Sequence, residues 1–177
     1  MIRMEGYRTA DGGLLVPYDN AEEYFAAHLE AAELLDEAAP RITLPTDGSR
    51  LEVVLDFGRP LGPASMVETV IVNPDTLTTF ARRPKRNGPS RVVVLEGDPP
   101  QISTFVVVGK PLGPGQYRLV TAYVGTTAPG EPWAEKDVHA RDERSLPFWC
   151  GHALVWRPDM GEVFTSTWRN ELAKLGV

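Results

Sequence analysis

The chain has 177 residues, of which 42% are hydrophobic and 24% are charged, and its net charge at pH 7 is −6. This composition is typical of a globular protein and excludes a disordered chain, and the acidic balance argues against a general nucleic-acid binder. We expect a single domain over residues 1–177, because a chain of this length can bury one sufficient hydrophobic core. The single cysteine, Cys150, and the lack of a secretion signal or an apolar run of ~20 residues predict a cytoplasmic protein without membrane contact.

The first predicted element is an N-terminal helix. Asp19 followed by Glu22 is typical of a capping box, and Pro40 is incompatible with a continuing helix. Between them, apolar positions and one histidine recur at steps of three or four residues: Phe25, His28, Ala32, Leu35 and Ala39. We expect this stripe to pack on a sheet.

The middle of the chain predicts that sheet. β-branched and aromatic residues are concentrated over residues 51–57, 67–72, 91–95, 102–108 and 117–124. Short turns rich in glycine and proline join several of these segments, which favours antiparallel neighbours because a parallel pair needs a long crossover. Asn73 followed by Pro74 is typical of a helix start, so we expect a short helix over residues 74–81.

The last third predicts an irregular segment over residues 126–147, a strand over residues 148–156 and a C-terminal helix over residues 167–175, which Gly176 ends. Taken together, the pattern predicts an α+β fold. An N-terminal helix packs on an antiparallel sheet of about five or six strands, and a C-terminal helix follows.

A basic cluster is the first candidate for function. Five cationic residues occur within ten positions with no acid between them: Arg82, Arg83, Lys85, Arg86 and Arg91. Clustered cations attract phosphate groups, but a solvated loop has the same composition, and both interpretations stay open.

The order of elements over residues 68–125 points to a family. The order is a strand (E-T-V-I-V), a helical turn (P-D-T-L), an arginine-rich connector, a second strand, a third strand with a V-V-V core and a fourth strand ending in T-A-Y. This order resembles the barnase/EndoU/colicin/RelE-like ribonuclease superfamily, particularly its phage and polymorphic-toxin branches. The resemblance implies RNA cleavage without a metal or cofactor, by catalytic residues that correspond here to His28, Arg91, Thr121 and Tyr123.

The chemistry of such a site assigns a role to each residue type. Cleavage needs a base for the 2′-hydroxyl, an acid for the leaving oxygen and a cation for the phosphate. His28 suits the acid or base role, Tyr123 can stack on a base or donate its hydroxyl, and Arg91 and Arg59 can clamp phosphate. The expected RNA-binding residues are Arg59, Arg82, Arg83, Lys85 and Arg86. The helix offers only one histidine, whereas the family pattern has a pair, so the resemblance fits either an active or a degenerate ribonuclease-like domain.

Alternatives from other classes remain. His28 fits a position at the edge of the core, and Thr121 and Tyr123 fit plain sheet packing. Cys150 and His152 suggest a nucleophile or metal pair, but alternate residues of an apolar strand are also ordinary core, and His139 receives no role. The chain could instead be a protein-binding module, with the tryptophans at 133, 149, 156 and 168 as either core or interface, or a domain with a small-molecule pocket.

Overall fold

The structure is a computed structural model that describes residue 3 and residues 5–18, 29–84, 86–134 and 142–177. Within these residues it has an α+β fold. The α-helices are α1 (Leu29–Ala38), α2 (Ser145–Gly151) and α3 (Trp168–Ala173), and 3₁₀ turns lie at Ala39–Arg41 and Pro158–Met160. The strands are β1 (Tyr7–Arg8), β2 (Leu14–Val16), β3 (Leu51–Asp56), β4 (Gly62–Pro63), β5 (Met66–Glu68), β6 (Thr78–Arg82), β7 (Pro89–Val94), β8 (Gln101–Ile102), β9 (Thr104–Gly113), β10 (Gln116–Val124), β11 (His152–Trp156) and β12 (Val163–Ser166).

The chain divides into two compact units. Met1–Gly62 and Gln101–Thr127 form unit 1, and Pro63–Pro100 and Ala128–Val177 form unit 2. The short strands β4 and β8 lie where the chain passes from one unit to the other. The expectation of a single domain stays a prediction. None of the helices in the described ranges is both long enough and apolar enough to cross a membrane.

The sheet of unit 1 has the strand order β1-β2-β10-β9-β3. The hairpin of β9 and β10 is antiparallel, and β3 pairs antiparallel with the other side of β9, so that Val107 lies between Val53 and Ala122. β2 pairs with β10 in the parallel direction. The sheet is mainly antiparallel, as predicted, and the parallel pairing of β2 with β10 is a departure from the prediction. Turn signals describe only consecutive strands, and β2 and β10 are far apart in the sequence.

The core of unit 1 lies between this sheet and α1. Ala32, Leu35 and Ala38 of α1 are buried in one cluster with Phe105 and Leu119 of the sheet. Ala32 and Leu35 belong to the predicted apolar stripe, and their spacing places them on one helix face. The α-helix ends at Ala38, immediately before the 3₁₀ turn that contains Pro40. The predicted helix start at Asp19, together with Phe25 and His28, lies outside the described residues.

The sheet of unit 2 has the strand order β12-β6-β7-β11-β5. β6 and β7 form an antiparallel hairpin, so the predicted basic connector is the loop of this hairpin. β7 and β11 are parallel neighbours. The core beside the sheet is aromatic: the ring of Trp168 lies 5.1 Å from that of Phe80 and 5.2 Å from that of Trp133. All four tryptophans are buried, so the core interpretation of these residues is the one the structure supports.

Two predicted elements in unit 2 are wrong. Residues 74–81 do not form a helix. The Asn73 side chain accepts a hydrogen bond from the Asp75 N–H at 3.0 Å, and the Asn73 carbonyl accepts one from Thr76, which closes a turn before β6. Asparagine favours such turns as readily as helix starts, and Thr78, Thr79 and Phe80 then favour a strand.

The predicted strand over residues 148–156 is a helix and a strand. α2 ends at Gly151, and β11 begins at His152. A short apolar run such as Phe148-Trp149-Cys150 does not distinguish a buried helix from a strand, because both bury it completely. The predicted strand over residues 67–72 is also shorter, since Val70 and Ile71 lie beyond β5 and are exposed. The sequence interpretation did not include β12.

The neighbouring residues Leu119 and Val120 test the unit 1 core. Leu119 is fully buried in β10, whereas Val120 on the same strand is 37% exposed. We expect Leu119→Ala to lower the free energy of unfolding by about 2–5 kcal/mol, because it leaves a cavity. Val120→Ala, which changes only an exposed position, is expected to cost less than about 1 kcal/mol. Urea denaturation measures both, and equal losses would contradict this core assignment.

Candidate functional site

Arg91 lies in the middle of β7 and is 7% exposed. Its guanidinium group donates hydrogen bonds from Nε to the Thr78 hydroxyl at 2.9 Å and from Nη1 to the His152 carbonyl at 3.0 Å and the Thr69 hydroxyl. Burial lowers the pKa of Arg91, and the nearby Cys150 sulfur partly offsets this effect. The guanidinium therefore joins three other segments of unit 2. Its predicted role as a phosphate clamp stays a prediction.

Cys150 and His152 face different surroundings. Burial raises the pKa of the Cys150 thiol, which disfavours the thiolate that a nucleophile needs. The imidazole of His152 stacks on the Phe148 ring with centroids 3.8 Å apart, and its Nδ1 lies 2.8 Å from the Phe148 carbonyl oxygen. These contacts place His152 in the packing between α2 and β11, and Cys150 is buried in a cluster with aromatic residues of unit 2.

The remaining predicted catalytic residues lie in another unit or outside the described residues. Thr121 and Tyr123 lie on β10 of unit 1, opposite Val108 and Val106 of β9. The Tyr123 side chain is 38% exposed, and burial of the rest and the nearby Glu52 raise its pKa. Arg91 belongs to unit 2, and His28 and His139 are not among the described residues. Among the described residues of unit 1, Thr121 and Tyr123 lie on the same strand.

The predicted RNA-binding residues have mostly intramolecular contacts. Arg59 pairs with Glu37 at 2.8 Å, and Arg82 lies over the Phe164 ring at 5.6 Å. Arg83 donates to the Glu131 carboxylate at 2.6 Å and to the Ser90 hydroxyl at 3.0 Å. Arg86 is exposed in the β6–β7 loop, and Lys85 lies outside the described residues. The basic cluster is therefore divided between packing and solvent.

A cleft of about 510 Å³ opens in unit 1. One wall is the segment from Leu44 to Gly48, and the other is the turn of the β9–β10 hairpin around Pro114. Asp11 and Tyr117 lie in the same cleft. A second cleft of about 380 Å³ shares Asp11, Pro114 and Gly115 with it, and Arg8 and Gln116 add polar groups there.

The carboxylate of Asp11 lies where the two clefts adjoin. It accepts hydrogen bonds from the Thr9 hydroxyl at 2.6 Å and from the Leu44 N–H at 3.2 Å. The bond from Thr9 is the largest cause that lowers the pKa of Asp11. Gly13 lets Leu44 and the Gly115 carbonyl lie close to the turn that carries Asp11. A Cβ at position 13 would lie 2.4 Å from Leu44 Cδ1 and 3.0 Å from the carbonyl oxygen of Gly115.

Tyr117 fixes the opposite wall. Its hydroxyl lies 2.8 Å from the Ser49 carbonyl and 3.1 Å from the Pro45 carbonyl, so it holds the loop that these residues flank. Burial and the nearby Asp47 raise the pKa of Tyr117. At neutral pH Asp11 is therefore ionised and Tyr117 is protonated. Groups that exchange protons in catalysis have pKa values close to the working pH, so this pair suits recognition better than proton transfer.

The sequence interpretation did not single out Asp11 or Tyr117. The turn residues Asp11-Gly12-Gly13 and Gly113-Pro114-Gly115 are visible as loop signals. Their proximity follows from the parallel pairing of Leu14 with Gln116, which no local pattern encodes.

Comparisons with protein-family models, with curated proteins and with solved structures find no match to the chain.

Arg91 and Arg82 test the structural role of the buried guanidinium. Arg91→Met keeps the aliphatic chain and removes its donors, so we expect a loss of about 2–4 kcal/mol in the free energy of unfolding, because three partly buried acceptors lose their partner. Arg82→Met, on the neighbouring strand and exposed, is expected to cost less than about 1 kcal/mol. Urea unfolding measures both. A fully stable Arg91→Met variant would show that the three hydrogen bonds do not stabilise unit 2.

Proposed function

We propose that the chain is a binding domain and that the adjoining clefts of unit 1 hold a small zwitterionic ligand of the amino-acid type. The observation that carries this proposal is the ionised Asp11 carboxylate at the junction of two concave sites. The volumes of these clefts agree with those of ordinary small-molecule sites, about 300–1,000 Å³.

The polar groups define which end of the ligand each cleft receives. Asp11 is exposed and ionised, so its carboxylate can form an ion pair with a ligand ammonium group beside its hydrogen bonds with Thr9 and Leu44. Arg8, exposed in the second cleft, offers a cation for the carboxylate of the same ligand. Leu44, Pro45 and Pro111 supply apolar surface for its side chain.

Calorimetric titration with free amino acids tests this proposal. The unmodified protein is expected to give saturable binding of an apolar amino acid. Asp11→Asn removes the charge at nearly constant shape, and the affinity is expected to fall about tenfold or more, corresponding to ~1.4 kcal/mol. The N-acetylated amide of the same amino acid, which lacks both charges, is expected not to bind.

Asp98→Asn is the matched control, since Asp98 is exposed in unit 2 and lines neither of these clefts. It makes the same change in net charge and is expected to leave binding unchanged. Thermal unfolding of each variant verifies that it is folded. Equal affinity in folded Asp11→Asn, or equal binding of the acetylated amide, would contradict the proposed site.

Metal-independent RNA cleavage is a second proposal, and the half-exposed phenol ring of Tyr123 favours it, because exposed aromatic rings on a sheet can stack on RNA bases. RNA incubated with the protein and a chelator should yield 2′,3′-cyclic phosphate ends. We expect His28→Ala to reduce the rate of RNA cleavage by about 10²–10⁴-fold. Tyr123→Phe is expected to keep the rate of the unmodified protein if the ring acts by stacking on a base. Product analysis on denaturing gels measures these rates. RNA that stays intact at high protein concentration would rule out the activity.

A further inference from the structure

A third cleft, of about 570 Å³, lies in unit 2 at the carboxyl ends of two parallel strands. Val94 ends β7, Trp156 ends β11, and the two residues are direct partners in the register. The chain then continues through the 3₁₀ turn at Pro158–Met160 to β12, and this connection forms the wall of the cleft. The site is therefore built from strand ends and one crossover connection.

The connection has a defined geometry. The Trp156 indole N–H donates to the Gly161 carbonyl at 3.1 Å, and Met160 N–H donates to the Arg157 carbonyl at 3.0 Å. Gly161 has a φ of 131°, a conformation that L side chains rarely adopt, so glycine is required at this position. The cleft thus has a largely buried tryptophan in its lining and a wall that hydrogen bonds hold in place.

The lining combines exposed apolar groups with acidic charge. Val94 and Val163 are each 44% exposed, which is unusual for valine in a strand of a packed sheet. Asp159 and Glu162 supply two carboxylates, and none of the described residues that line this cleft is cationic. Arg157 pairs with Asp159 at 3.4 Å, but both partners are exposed, and such pairs contribute little free energy. The site therefore suits a group with an apolar stem and a positive end.

Lysine and arginine side chains have this combination, because their methylene groups pack on apolar surface while the charged end stays near water or a carboxylate. The cleft also adjoins an edge of the sheet. β12 is the terminal strand in the order of unit 2, and Glu162 immediately precedes its first residue, Val163. An extended peptide can add to such an edge through main-chain hydrogen bonds.

From these observations we propose that unit 2 docks an extended basic segment of a partner protein. The segment pairs with the outer edge of β12, which is the terminal strand of this sheet within the described residues, and places one arginine or lysine in the cleft between Trp156 and Glu162. Charge complementarity selects the basic residue, and the strand edge provides affinity that is independent of the side chain.

A fluorescent peptide of alternating valine and arginine is the probe, measured by fluorescence polarisation with the full chain. We expect saturable binding that weakens as salt increases, since exposed charges are screened. A peptide with glutamate in place of arginine is expected not to bind. A peptide with N-methylated backbone amides is expected to bind at least about tenfold more weakly, because it loses the edge hydrogen bonds.

Glu162→Gln and Val163→Lys test the cleft, and Glu68→Gln is the control. Glu68 lies on β5, at the opposite edge of the same sheet. Glu68→Gln and Glu162→Gln change the net charge by the same amount. We expect Glu162→Gln to weaken peptide binding about fivefold or more and Val163→Lys about tenfold or more, with Glu68→Gln within about twofold of the unmodified chain. Val163 is exposed, so its substitution should not prevent folding.

Several outcomes would overturn the proposal. These are equal binding of the glutamate peptide, an equal loss in Glu68→Gln and Glu162→Gln, and full affinity in Val163→Lys. Binding of N-acetyl-arginine methylamide as tightly as the peptide would show that the cleft takes a free small cation and that β12 does not pair with a partner. No saturable binding of the basic peptide at low salt would likewise reject the docking site.

Discussion

Each unit depends on one parallel pair of strands that lie far apart in the sequence. β2 pairs with β10 in unit 1, and β7 pairs with β11 in unit 2. Closing the long intervening loops costs conformational entropy, which increases only slowly with loop length, so burial along the paired strands can offset it. Leu15, Tyr117, Val92 and Trp156 are all buried on these four strands. The loops that flank such a pair meet at its ends, and that is where the clefts of both units lie.

The parallel pair of unit 2 also explains the environment of Arg91. This residue lies on β7, and one of its hydrogen bonds reaches the carbonyl of His152, the first residue of β11. The three acceptors are two hydroxyl groups and a carbonyl, so the guanidinium is satisfied by neutral dipoles. Burying a charge in this way is costly, which is why burial lowers its pKa, and the cost is acceptable only when the partners are well placed. The geometry of β6, β7 and β11 is thereby specified by a polar network as well as by apolar packing.

Local patterns in the sequence predicted the elements whose own residues decide their structure. β3 and β10 were predicted because β-branched alternation and flanking turns act within a few residues, and the C-terminal helix because Gly176 follows it. Two failures have a different origin: the segment before β6 and the run that forms α2 each fit two structures locally, and tertiary packing selects between them. The candidate site was less predictable. Asp11 and Tyr117 become neighbours through the parallel pairing of β2 with β10. Histidine and arginine are chosen as candidate site residues for their chemistry alone, since a sequence does not show whether they are buried.

The Asp11 turn shows how the fold determines the charge of the unit 1 cleft. The Thr9 hydroxyl and the Leu44 N–H stabilise the ionised carboxylate in the folded state, which lowers its pKa below the unfolded value. The stabilisation from this lowered pKa is complete above the unfolded pKa, about 3.9 for aspartate, and is lost as the pH falls through the folded pKa. Protonation would remove the charge of the carboxylate and weaken the hydrogen bond from Thr9, because a neutral carboxyl group is a poorer acceptor. The bonds that close the turn therefore also keep the proposed ammonium site negatively charged at neutral pH.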